Sequence, residues 1–341
     1  MMLNVVYHCS NLFSPVLGTS LVSLFENNMS FDRINIYVIE KKISDENKQR
    51  LISVSEKYNG NIVFIPMQDI NETENLGLVR VNKKWGYDGY NRLFLDDILP
   101  ADVERVLYLD SDVLICSDLK ELWETDLENC SVAACMDCLN DKYYDVLGFS
   151  KTSVYCNSGM ILFDLKKWRE DRFCDRIREY THSNSGYVFF MEQSVFSYVV
   201  QDKVKILPAY YNVFTLMQSL NYKQIIKLRK PRIFYSEDEV KEAINSPRII
   251  HLTRLFLIIN RPWVKVNNHP LKNLFEKYKK MTPWADEEAF EDKRNAKQKM
   301  VDFAIRILPK SITINIASYL YNEVRIKKMK KQIKKLKSSG Q

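Results

Sequence analysis

Short apolar runs alternate with longer amphipathic stretches through the first 280 residues, and this alternation is the strongest constraint on what the chain can fold into. The runs at 4–7, 34–39, 62–65, 105–109, 132–136, 159–163, 204–207 and 248–252 are rich in Val, Ile, Leu and aromatic residues and read as strands. Between them, residues 16–27, 46–58, 91–99, 165–180 and 192–200 carry apolar positions at helical spacing. This alternation predicts an α/β fold with a mostly parallel sheet flanked by helices, and ligand sites in such sheets lie at strand carboxyl ends.

The pattern breaks near residue 285, at Ala285-Asp286-Glu287-Glu288, so the expected division is a first unit over 1–284 and a helical extension over 285–341. In the extension, Val301, Ile305 and Leu308 recur at helical spacing, Pro309 interrupts, and Ile312, Ile316, Tyr319 and Leu320 resume the apolar face. Eight Lys/Arg and a single acid follow from Glu323 onward. That surplus equals the net charge of +7 for all 341 residues, so the preceding residues balance and any acidic partner belongs to the tail. The tail lacks the interleaved aromatics and the fold of a nucleic-acid binder. Coupled to the amphipathic stretch 300–321, it predicts an anchor on an anionic membrane surface. No run reaches the roughly 20 apolar residues that cross a bilayer, and the first residues have no basic start or cleavage-like site. The seven cysteines are odd in number and scattered, which fits a reducing cytoplasm, with peripheral placement on the inner face of the membrane. Cys135 and Cys138 form a lone CxxC without the second pair that a zinc site needs.

Within the run 105–115, Asp110-Ser111-Asp112 is an acidic notch between two apolar segments. Residues i and i+2 of a strand point to the same side, so both carboxylates can turn toward one ligand. Two hard oxygen donors so placed suit a divalent cation on a diphosphate, although the same pair could simply cap a turn.

Other segments give this notch a context. In order along the chain stand Tyr90-Asn91-Arg92-Leu93, the strand with Asp110 and Asp112, Asp118-Leu119-Lys120-Glu121-Leu122-Trp123, Tyr155-Cys156-Asn157-Ser158-Gly159-Met160, Met191-Glu192-Gln193-Ser194, and His251 followed by Arg261-Pro262-Trp263. Over residues 4–263 the sequence resembles glycosyltransferase family 8, retaining GT-A enzymes that include bacterial lipopolysaccharide galactosyl- and glucosyltransferases and glycogenin. The resemblance implies a GT-A fold and transfer of a hexose, glucose or galactose, from a UDP-sugar to a saccharide or lipid-linked glycan. It implies Asp110, Asp112 and His251 as metal ligands, and the imidazole in that set favours Mn²⁺, with Mg²⁺ possible. Arg92, Asp137, Asn157 and Glu192 fall at donor-contacting places, and Gln193 at the place beside the anomeric carbon. From the residues alone, Arg92 could instead pair with Asp96 one turn along, and Asn157 or Asp137 could be turn residues.

Two stretches depart from the family pattern. The first strand ends in Tyr7-His8-Cys9-Ser10-Asn11, where Asn11 is kept and Cys9 stands at the place of the acid that meets uracil. The loop from His251 to Trp263 is four residues longer than the family's H-x-x-G-x-x-K-P-W and has no glycine, so both Arg254 and Arg261 are candidates for the diphosphate. A glutamine is a weak nucleophile, so Gln193 favours front-face transfer over a covalent intermediate. The competing classes are a sugar nucleotidyltransferase, which would want a glycine-rich loop absent from residues 7–13, and a non-catalytic sugar-nucleotide-binding or membrane-scaffold protein.

Overall fold

The computed structural model describes residues 1–79, 86–150, 152–184, 186, 188–255 and 259–339. Its strands are β1 (Met2–Ser10), β2 (Arg33–Lys41), β3 (Asn61–Pro66), β4 (Arg105–Asp110), β5 (Val113–Ile115), β6 (Val132–Met136), β7 (Cys156–Asp164), β8 (Val204–Ile206), β9 (Val213–Phe214) and β10 (Ile249–His251). Seven of them form one sheet in the order β3-β2-β1-β4-β7-β6-β8. Only β7 runs against its neighbours in that sheet. The α/β class and the mostly parallel sheet expected from the sequence are therefore present.

Alternation along β1 fills both faces of the sheet. Leu3, Val5 and Tyr7 pack with Val16, Leu17 and Leu21 of the helix Ser14–Glu26 on one side. Val6 packs with Tyr108, Ile161 and Phe163 on the other. Trp284 seals the first side, fully buried over the helix at Gly18, where a Cβ would come within 2.5 Å of the indole ring. An alanine there would clash with an aromatic that has no room to move.

Three expected elements come out differently. Residues 91–99 are not one helix but a 3-10 turn, Asp88–Leu93, and a short helix, Leu95–Ile98, separated at Phe94. Residues 165–180 divide into Leu165–Glu170 and Phe173–Ser183, because Arg172 takes a left-handed conformation with φ 54°. The break lets the Phe173 ring stack on Trp168 with centroids 4.2 Å apart, and both rings are fully buried. Burial of two such aromatics, each about 2–3 kcal/mol, outweighs roughly 1–2 kcal/mol for one non-glycine residue in that conformation. Residues 248–252 lie outside the large sheet. They contribute β10 to a small sheet of order β5-β10-β9, with His251 opposite Val113 and the Leu252 amide donating to the Asp112 carbonyl at 2.9 Å.

The extension comprises helices Ala296–Ile307 and Lys310–Tyr319, a π turn Leu320–Val324, and Arg325–Ser339. It docks on the first unit through polar groups as much as apolar ones. Ser318 Oγ donates to the Lys227 carbonyl at 2.8 Å and Asn322 Nδ2 to the Leu228 carbonyl at 2.9 Å. These carbonyls belong to the last turn of the helix Tyr222–Arg229, where acceptors have no partner within the helix. Beyond them Ile326 and Met329 complete a third core cluster with Tyr143, Tyr144, Tyr155 and Phe189. The expected apolar face of Ile312, Ile316 and Tyr319 points outward, while Ile314 faces the domain.

Candidate active site

The end of β4 and the small sheet converge on one cluster. Asp110 ends β4 and Asp112 sits in the tight turn before β5, and β10 pairs with β5 so that His251 arrives beside them. The His251 Nε2 stands 3.2 Å from Asp112 Oδ1 and 3.6 Å from Asp110 Oδ2. One donor atom from each of the three lies within 4.8 Å of the others. Two carboxylates and an imidazole nitrogen at this spacing fit a divalent cation such as Mn²⁺ or Mg²⁺. A second grouping, Asp96, Asp97 and Cys174, also has the spacing, but there the thiol donates to Asp96.

Gly159 makes room for His251. A Cβ on Gly159 would lie 2.2 Å from the imidazole Cε1, and the ring's Nδ1 is buried without a hydrogen-bond partner among the described residues. Burial pushes this imidazole down, but Asp112 and Asp110 together outweigh burial and raise it above the ordinary value. The reciprocal effect, with Arg261 as the larger contributor, holds the Asp112 carboxyl well below the usual carboxylate range despite its burial. Arg261 donates to Asp112 Oδ2 and to the Leu252 carbonyl. Of the two arginine candidates for the diphosphate, Arg261 therefore touches the cluster, whereas Arg254 donates to Asn260 Oδ1 at 3.0 Å.

Arg92 does not pair with Asp96. Its Nη2 lies 3.0 Å from Asp110 Oδ1 and 3.7 Å from Glu192, and its Nη1 donates to the Ser158 carbonyl at 2.7 Å. The guanidinium lies over the Tyr108 ring, 4.5 Å from its centroid, and Tyr108 Oη donates to the same Asp110 oxygen at 3.0 Å. Burial favours a neutral guanidinium, but Asp110 and Glu192 reverse that and keep it charged. Glu192 itself is raised, by burial first, against the opposing pull of Arg92.

A second chain of polar contacts runs beside the cluster. Gln193 Nε2 donates to Asp137 Oδ2 at 2.8 Å, and Gln193 Oε1 accepts from the Ser158 amide at 3.3 Å. Asn157 Nδ2 is 3.4 Å from the same Asp137 oxygen, while its Oδ1 accepts from Gly159 N and Asn212 Nδ2, both at 2.9 Å. Each carboxamide is thus held with its orientation fixed by backbone or buried partners, as a site that must distinguish hydroxyls requires.

The family model for glycosyl transferase family 8 matches residues 4–264. The chain belongs to this family. It is a glycosyltransferase of GT-A type. Among curated relatives, general stress protein A of Bacillus subtilis is 23% identical over 286 residues, covering 83% of this chain and 94% of the relative. Lipopolysaccharide 1,2-glucosyltransferase of Escherichia coli is 25% identical over 295 residues, 84% of this chain and 80% of the relative. Among solved structures, the galactosyltransferase LgtC in complex with donor and acceptor sugar analogues superposes with a TM-score of 0.68 at 18% identity, over 88% of this chain and all of that one.

In this family 8 enzyme the end of β1, where Cys9 departs from the family pattern and Asn11 keeps it, has local structural consequences. Cys9 is 1% exposed in the core, its thiol donating to the Ser10 carbonyl, and burial pushes it up to about 12. Asn11 Oδ1 accepts from Ser44 N at 2.9 Å and Asn47 Nδ2 at 2.8 Å, tying the strand end to the start of the helix Asp45–Lys57. The structure therefore joins Arg92, Asp110, Asp112, Asp137, Asn157, Glu192, Gln193, His251 and Arg261 through the contacts above, and gives Cys9 and Asn11 local partners. Part of the long loop after His251, residues 256–258, lies outside the described residues. Cys135 and Cys138 are both buried in the core.

Sequence reasoning missed Tyr108, Ser158 and Asn212, which hold Asp110, Arg92 and Asn157. Ser158 lies within the run 155–160 and Tyr108 within the strand run 105–109, so both were visible as neighbours of site residues. Asn212 has no sequence signal, because its partner is 55 residues away.

Proposed function

We propose that this glycosyltransferase moves a hexose, glucose or galactose, from a UDP-sugar to a saccharide or lipid-linked glycan with retention of anomeric configuration, using Mn²⁺. The observation that carries the reading is the meeting of Asp110, Asp112 and His251 within 4.8 Å of one another, flanked by Arg92 and Arg261. The curated glucosyltransferase and the LgtC galactosyltransferase support the choice of sugars and a saccharide acceptor.

A cation held by Asp110, Asp112 and His251 would neutralise charge developing on the leaving diphosphate. Arg261, already against Asp112, supplies a guanidinium for the same phosphates, with fork geometry suited to two oxygens. Asp137 and Asn157 orient donor hydroxyls, and Gln193 stands at the face of the sugar where the acceptor arrives. In the transfer step the bond from the anomeric carbon to the diphosphate oxygen breaks. The acceptor oxygen bonds to that carbon from the same face, and its proton passes to the diphosphate. Positioning supplies most of the acceleration such a step needs.

The reading also takes residues 1–284 as the transferase unit and 285–341 as an extension that lies on an anionic membrane surface at the cytoplasmic side. Among the described residues no helix is long and apolar enough to cross a membrane. Exposed Met300, Phe303, Ile307, Ile312, Ile316 and Tyr319 beside the lysines support surface attachment.

Incubation with UDP-glucose and UDP-galactose, with and without Mn²⁺, tests the central claim through release of UDP and the anomer of the product. Asp110→Asn should lower UDP release by about 100-fold or more, the loss typical of removing one electrostatic contact to the transition state. Wild-type rates in that variant, or an inverted product, would sink the reading.

A further inference from the structure

A cavity of about 460 Å³ opens beside Gln193 and Glu192, and one of its walls is the C-terminal helix. Arg325, Lys328, Met329 and Gln332 line it, at the i, i+3, i+4, i+7 spacing that puts one stripe of a helix on one surface. Val188, Phe189 and Phe190 give the cavity an apolar lining next to this helix. The helix is fixed in place by Ile326 and Met329, which are 4% and 5% exposed in the third core cluster.

The charges in this wall are not spent elsewhere. Arg325 lies over the Phe190 ring at 4.5 Å and the Tyr321 ring at 5.6 Å, and among the described residues neither it nor Lys328 has a carboxylate partner. The one acid at this end of the chain, Glu323, pairs with Lys142. Glu192, the acid in the cavity lining, is paired with Arg92. A guanidinium stacked on an aromatic face leaves its N–H edge directed outward, which suits a phosphate, and a nearby ammonium adds a second positive charge. Lys327, Lys330, Lys331 and Lys334 are exposed like Arg325 and Lys328 but do not line the cavity.

We propose that the acceptor carries a phosphate joined to an apolar chain, that Arg325 and Lys328 bind this phosphate, and that the aromatic wall takes the chain. The proposal deepens the transferase reading and rests on it, because it treats the cavity at Gln193 as the acceptor side. It gives the extension a part in acceptor selection that is separate from membrane attachment, since only one stripe of the helix takes part.

The test uses the full chain loaded with UDP and Mn²⁺, with octyl phosphate, octyl glucoside and glucose 6-phosphate as probes titrated in the absence of vesicles. Octyl phosphate should saturate one site per chain and bind at least about tenfold more tightly than either other probe, the scale of one charge-assisted contact. In Arg325→Ala/Lys328→Ala that binding should weaken about tenfold or more, whereas Arg325→Lys should retain most of it. Lys330→Ala/Lys334→Ala should match wild type. Equal binding of octyl glucoside, or of octyl phosphate by the double variant, would overturn the proposal; so would preference for glucose 6-phosphate, which would place the phosphate on a sugar without an apolar chain. Mn²⁺-dependent UDP release from UDP-hexose by the wild-type preparation separates the two readings. Its absence sinks the transferase reading, whereas its presence with indifferent octyl phosphate binding sinks this inference alone.

Discussion

At the scale of single residues, the site depends on one close approach. Gly159 lies against the imidazole of His251, and a Cβ would fall 2.6 Å from Nδ1, far inside contact distance. In Gly159→Ala the ring must tilt, and its Nε2 then leaves the position 3.2 Å from Asp112. The expected result is a loss of Mn²⁺ affinity of about 10- to 100-fold, the range seen when the groups that orient a ligand are altered. Calorimetric titration measures it, and an unchanged far-UV spectrum would show that the fold survives. Unaltered affinity would remove His251 from the ligand set. The asymmetry of what could be read in advance is physical. Asp110 and Asp112 were legible because they stand two residues apart where an apolar run breaks. Asp110 ends β4 and Asp112 lies in the turn that follows rather than in the strand itself, so their geometry is local. His251 needed the family motif, and Asn212 was invisible, because their partners are chosen by sheet pairing across long stretches of chain.

At the scale of elements, every strand of the large sheet and β10 were legible, whereas the short β5 and β9 were not. β4 is buried on both faces, and β1 and β2 are buried on one face and largely half-buried on the other, so their apolar runs mark them. β5 and β9 span three and two residues, too few for a periodicity, yet both build the small sheet that delivers His251. That sheet is held from behind by His269, which is 4% exposed. Its Nδ1 accepts from Leu271 N at 3.2 Å, so Nε2 carries the proton and donates to Thr215 Oγ1 at 2.9 Å. Burial, then Arg261, lowers this histidine to about 4. A folded value below the unfolded one means that the folded state holds the neutral ring. Its contribution is therefore complete above about pH 6.5 and is lost as the pH falls toward 4. The loss amounts to on the order of 3 kcal/mol when protonation is complete. Urea midpoints between pH 7.5 and 4.5 should fall less steeply in His269→Gln than in wild type, and parallel slopes would refute the assignment. The extension makes a similar case for polar anchoring. Asn322→Ala would leave the buried Leu228 carbonyl without its donor, at a cost of about 1–2 kcal/mol. Trypsin should then cut the basic helix sooner, and an unchanged digestion rate would show that Ile326 and Met329 suffice.

At the scale of the whole molecule, the extension presents two different faces, and only one was legible. Helical spacing revealed the apolar positions Ile312, Ile316 and Tyr319, but not that they point outward, since the docked side is set by Ser318 and Asn322 meeting a helix end far away in sequence. An outward apolar face adjoining a basic helix is costly in water and favourable on an anionic bilayer. Phe303, Ile307 and Tyr319 are 65%, 67% and 59% exposed, so most of their area is available for burial on binding. Inserting such side chains gains about 1–2 kcal/mol each, and each lysine close to the surface adds about 1 kcal/mol before screening. The protein should float with vesicles containing phosphatidylglycerol and remain behind with phosphatidylcholine alone. Phe303→Ser/Ile307→Ser should weaken flotation by about tenfold or more at constant salt, because it removes apolar area and leaves every charge in place. Added salt should weaken the wild type by screening the lysines. Flotation that ignores lipid charge would refute the electrostatic half of the argument, and flotation that ignores the double substitution would refute the apolar half.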